Sequence, residues 1–89
     1  MSVEFWQWWI LMTKFCDVNN LRSISDTAKE VLCEMIYQMG YSGVGKFQNM
    51  IKALQNRDYK LASTEMLDSR WAKQTPNRAK ELSDAMANA

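Results

Sequence analysis

Tyr37 to Gln55 reads YQMGYSGVGKFQNMIKALQ, and the spacing of its apolar residues decides the class of fold. Val44, Phe47, Met50, Ile51 and Leu54 keep the rhythm of one helix face, and nothing in the stretch alternates with period two. Just upstream, Ala28, Val31, Leu32, Met35, Ile36 and Met39 form a second stripe of the same kind. Gly40 is placed to close that upstream helix in a left-handed conformation, which a residue without Cβ adopts at little cost. Ser25 offers the same helix an N-cap, and Asp26 puts a carboxylate in its first turn.

Working outward, Asp58 can cap a helix in which Tyr59, Leu61, Ala62, Met66 and Leu67 supply apolar contacts, ending near Trp71. Thr75 then stands as N-cap before Pro76, whose missing N–H is harmless at a first helical position, and Ala79, Leu82, Ala85 and Met86 face inward. At the other end, residues 1–16 make an apolar helix with Phe5, Trp8, Trp9, Leu11, Met12, Phe15 and Cys16 on one broad face. Trp6 and Ile10 fall outside that face, with Gln7 and Lys14 on the wet side. Two readings of this surplus stay open: all three tryptophans buried in a small domain, or a partner surface formed by Trp6, Ile10 and Trp9. The expected fold is all-α, a compact orthogonal bundle of about five helices in one domain over residues 1–89.

Composition excludes more than it names. A chain of 89 residues buries only about 60–65% of the surface its unfolded form exposes, so its core must be well used. Eleven basic and ten acidic residues leave a net charge of +1, too little to steer the chain towards nucleic acid or anionic lipid. Arg70, Lys73, Arg78 and Lys80 around Trp71 make a modest basic patch, but Glu65, Asp68, Glu81 and Asp84 surround it, which argues against a nucleic-acid partner. There is no histidine, and Cys16 and Cys33 lack any metal-ligand spacing, so neither a metal nor another cofactor is expected and both thiols read as buried. Glu4 stands where a secretion signal needs basic residues and WWILM is too short to span a bilayer, which points to the cytoplasm.

Two motifs imitate chemistry. GYSGVGKF, Gly40 to Phe47, approaches a phosphate-binding loop, yet Phe47 replaces the metal-binding hydroxyl and a helix precedes Gly40 where that motif needs a strand. Asp26, Glu30 and Glu34 repeat at one-turn spacing, which reads as a solvated helix face rather than an acid and base pair. No nucleophile has a histidine base.

YQMGYSGVGKFQNMIKALQ followed by SRWAKQTPNRAK, Ser69 to Lys80, resembles the C-terminal helical lobe of T-even phage-type lysozymes, and the likeness runs from about Ile24 to Met86. The resemblance implies a lysozyme-like helical lobe over residues 24–89, behind an apolar helix over 1–16. It also implies that Gln38, Met39 and Trp71 match the helical wall of a sugar-binding cleft, and that Arg78 matches the arginine that pairs with a catalytic glutamate. Met39 and Trp71 equally continue apolar stripes, Gln38 can solvate a helix end, and Arg78 needs a new acid, with Glu81 and Asp17 in reach. The family's strand-containing small lobe has no counterpart: a short polar stretch around DVNNLRS stands in its place. If EFWQWWILM stands in for the family's first helix, Leu11 or Met12 occupies the place of the catalytic glutamate. No catalytic residue is therefore assigned, because glycoside hydrolysis needs a proton donor at the leaving oxygen.

The expected function is a non-catalytic module derived from such a lysozyme. It would be a phage or prophage protein that binds, and so inhibits or regulates, a host or phage protein, as a host-defence antagonist or a lysis regulator. Its partner would be that protein, or a second copy through the N-terminal helix. The alternatives are a peptidoglycan-binding module and one half of a split muramidase.

Overall fold

The computed structural model describes the backbone over residues 3–89 and side chains from Gln7 onward, so Trp6 lies outside the described side chains. Among the described residues six helices follow one another: α1 (Val3–Val18), α2 (Asp26–Gly45), α3 (Gln48–Gln55), α4 (Tyr59–Leu67), α5 (Arg70–Gln74) and α6 (Pro76–Ala87). Among the described residues there is no strand, and the chain is all-α, as its apolar periodicity requires. α4 packs against both α3 and α6, while α1 lies along α2.

The caps decide where helices begin and end. Ser25 Oγ accepts from the Ala28 amide at 3.2 Å, and Asp58 Oδ1 accepts from the Leu61 amide at 3.2 Å, each satisfying a donor the first turn leaves open. The expected fourth helix does not run on to Trp71, so the described residues form six helices where about five are expected. Asp68 leaves helical geometry at φ −90°, ψ 58°, and an extended Ser69 starts α5 by accepting from the Ala72 amide at 3.2 Å. Ser69 Oγ also donates to the Met66 carbonyl at 2.7 Å, so one hydroxyl serves both helix ends. Local cap chemistry overrides the apolar rhythm there.

Three other expectations change. Gly40 has the expected positive φ, but at φ 83°, ψ 163° it only interrupts α2, and helical turns resume to Gly45. Close packing follows the break: a Cβ on Gly43 would meet Met39 Cγ at 3.0 Å. Thr75 holds the N-cap position of α6, yet its hydroxyl donates backwards to the Trp71 carbonyl at 3.2 Å and does not cap the new helix. Leu61 and Leu67 are exposed, and Ser63 turns inward in α4 beside Ala62 and Met66.

Two joints depend on residues other than glycine in the left-handed region. Asn20, φ 59°, lets the Leu21 amide reach back to the Cys16 carbonyl at 2.7 Å, which ends α1 and buries Leu21. Arg57, φ 56°, does the same for α3, with the Asp58 amide donating to the Ala53 carbonyl at 2.8 Å. Gln55 Nε2 then donates to the Asn19 carbonyl at 2.8 Å, tying α3 to the end of α1.

The core draws Met12 and Phe15 from α1, Leu32, Met35 and Ile36 from α2, Met50 and Leu54 from α3, Met66 from α4 and Met86 from α6. The face proposed for α1 is only partly used. Met12, Phe15 and Cys16 are buried, and Trp8 and Leu11 are half-buried. Trp8 meets Tyr37 edge to face at 5.6 Å, and Phe15 meets Tyr41 likewise at 5.5 Å.

Candidate functional site

α1, α2 and α6 leave a groove of about 340 Å³ between them, lined by Trp9, Thr27, Glu30, Val31, Cys33, Glu34, Arg78, Leu82 and Ala85. Its floor is apolar because Val31 and Leu82 belong to the inward stripes of their helices. Its rim is charged. Helical spacing puts Glu30 and Glu34 one turn apart, and Pro76 at the start of α6 sets Arg78 in the first turn of that helix. Glu30 and Glu34 of the acidic row expected on an open face therefore border a concavity, while Asp26 does not, and the cue that could have found it was the need of Arg78 for an acid.

Arg78 reaches two carboxylates, Glu34 Oε2 at 3.9 Å from Nη2 and Glu81 Oε2 at 3.5 Å from Nη1. Glu81 was one of the two acids anticipated. Asp17 was the other, and it pairs instead with Arg22 at 2.7 Å across the end of α1. All these pairs are solvated on both sides and contribute little to stability.

Glu34 is thus a carboxylate beside Arg78, and its placement matters for chemistry. A proton donor to a glycosidic oxygen works from an enclosed site with a second polar group opposite. The Glu34 side chain is 46% exposed, Glu30 lies on the same helix, and Glu81, the other carboxylate on Arg78, is 69% exposed and does not line the groove. On α1, the residues expected to replace the family's acid are apolar and turned inward, Leu11 half-buried and Met12 only 1% exposed.

The remaining wall residues gather elsewhere. Trp71 Nε1 donates to Gln38 Oε1 at 3.0 Å, and Phe47 packs edge-on against Trp71 at 6.3 Å. Met39 lies partly buried against the core. Gln38, Met39 and Trp71 therefore brace the break at Gly40 from both sides, and none of them lines the groove that Arg78 lines.

Trp9 and Ile10 are the described part of the expected partner surface. Trp9 is 39% exposed at the groove edge, and Ile10 is 60% exposed beside it on the outer side of α1. Two of the three N-terminal tryptophans are thus described, and neither is fully buried. Cys33, which no feature of the sequence places here, lines the groove. Burial pushes its thiol up and nearby Glu34 adds to the shift, so the groove offers no ready thiolate. Burial also pushes Cys16 up, against the opposing pull of Lys29 and with a smaller push from Asp17.

No family model matches this chain, and no solved structure matches it. It is 36% identical over 64 residues to a probable T4-type lysozyme 2 of Dictyostelium discoideum, a match covering 72% of this chain and 36% of that protein. It is 31% identical over 72 residues to a probable T4-type lysozyme 1 of the same organism, covering 81% of this chain and 39% of the relative. The chain spans less than two fifths of the length of these relatives.

Proposed function

We propose, from the premise that this chain contains a T4-lysozyme-like helical region, that the region serves here as a non-catalytic protein-binding module. The observation that carries the proposal is the exposed pair Trp9 and Ile10 on α1, at the edge of a groove with an apolar floor and a charged rim. Apolar side chains presented in this way are the usual anchors of a protein interface, and the half-exposed ions around Arg78 suit its polar border. Two further features support the loss of hydrolysis. Leu11 and Met12 provide no proton donor, and residues 19–25 join α1 to α2 directly, which leaves no room between those helices for a second lobe to close over the groove.

Replacing Trp9 and Ile10 together by serine tests the reading. Helical content and melting temperature should stay close to those of the parent, and capture of the protein partner should be lost. Unfolding of the double variant would return both residues to the core. Pelleting with purified peptidoglycan sacculi separates the wall-binding alternative: retention that disappears in Trp71→Ala would replace the protein-binding reading.

A further inference from the structure

The groove and the ridge beside it are complementary to each other. Glu30 and Glu34 outnumber Arg78 along the groove, and Glu81 pairs with Arg78 from outside it, so the groove is locally acidic in a chain whose net charge is +1. Its apolar floor asks for an apolar side chain with a cation nearby. The outer side of α1 carries that combination in Ile10 and Lys14, both exposed and one helical turn apart. Among the described residues, neither Lys14 nor Glu30 belongs to an ion pair.

Trp9 forms part of the groove and Ile10 follows it about 100° further round α1, so the ridge adjoins the groove across the width of that helix. A two-fold axis between two such faces places each ridge in the other's groove, the self-matching arrangement that a symmetric dimer requires. The volume of about 340 Å³ is ample for one branched aliphatic side chain and the stem of a lysine.

We propose that a second copy of this chain fills the groove: Ile10 of each copy covers the floor formed by Val31 and Leu82, beside Trp9 at its edge, in the other, and Lys14 meets Glu30 across the interface. The inference rests on the protein-binding reading of this surface and names its occupant. Oppositely charged groups at the border fix the register, and apolar contact at the centre supplies the affinity.

Sedimentation equilibrium of the whole chain over a wide range of concentration tests the proposal. The parent should approach twice the monomer mass, and Ile10→Gln should remain monomeric with unchanged helical content. Lys14→Glu should weaken the dimer by about tenfold or more through like charges facing one another, and adding Glu30→Lys in the same chain should restore it. This exchange of two exposed charges keeps the proposal testable even if Ile10→Gln fails to fold. A parent that stays monomeric throughout, or a dimer indifferent to both the single changes and the exchange, overturns it. If the parent is monomeric, titration with a synthetic basic amphipathic helix, followed by Trp9 fluorescence lost in Trp9→Phe, separates the two levels. Binding would retain the protein-binding reading and discard the second copy, whereas no binding would discard both.

Discussion

From α2 to α6, most residues of the apolar stripes go into one shared core, with Leu61 and Leu67 of α4 left outside it, whereas on α1 the apolar residues outnumber the places that core provides. Leu32, Met35 and Ile36 are wholly buried, while Trp9 and Ile10, from an equally apolar stretch, face solvent. The two regions also differ in how they satisfy polar groups. In the bundle, the Trp71 indole finds Gln38, but the indole nitrogen of Trp8 is buried without an acceptor among the described residues. Apolar content by itself therefore marks the core in one region and an exposed surface in the other. The caps and the crossing of neighbouring helices decide between them.

The sharpest way to break this contrast is a cavity in the bundle. Leu32→Ala should cost about 2–5 kcal/mol, a range that rests largely on phage lysozyme cores and is borrowed from them, and it should lower the urea midpoint drastically or unfold the chain. Ser69→Ala should cost about 1 kcal/mol, because a single hydroxyl serves the end of α4 and the start of α5. Thr75→Ala should cost less, since its hydroxyl bonds backwards to the Trp71 carbonyl and caps nothing; thermal melts of the two variants side by side would show the difference.

Alkaline pH adds a smaller effect shared by both regions. Burial raises Cys16 on α1 and Cys33 on α2, so the folded chain retains protons that the unfolded chain gives up. The stability gained in this way is whole below about pH 8.5, the ordinary thiol value, and falls as pH rises through the raised values. Urea midpoints at neutral and alkaline pH should separate, and by less in Cys16→Ala with Cys33→Ala. The smallest change in stability should come from Ile10→Ser, within about 0.5 kcal/mol by the same melts, as suits an exposed position outside the core.

Much of the fold was legible because period and punctuation agreed. The α2 stripe, the Ser25 and Asp58 caps and Pro76 at the start of α6 all point to helices the structure contains. The break at Asp68 and Ser69 was not legible from apolar spacing, since the stripe continues across it. The joints at Asn20 and Arg57 were hidden because both take a left-handed conformation without glycine. The groove was partly legible: Arg78 required an acid, and Glu81 supplies one. Glu34 and Cys33 escaped because only the crossing of α2 with α6 and α1 turns that side of α2 into a groove wall.

The claim most exposed to refutation is that this groove, with Glu34 beside Arg78, does no glycoside hydrolysis. Turbid suspensions of purified bacterial cell wall mixed with the folded chain measure it directly. No clearing is predicted, from the parent or from Glu34→Gln; clearing by the parent that Glu34→Gln abolishes would show a working acid in the groove and contradict the account.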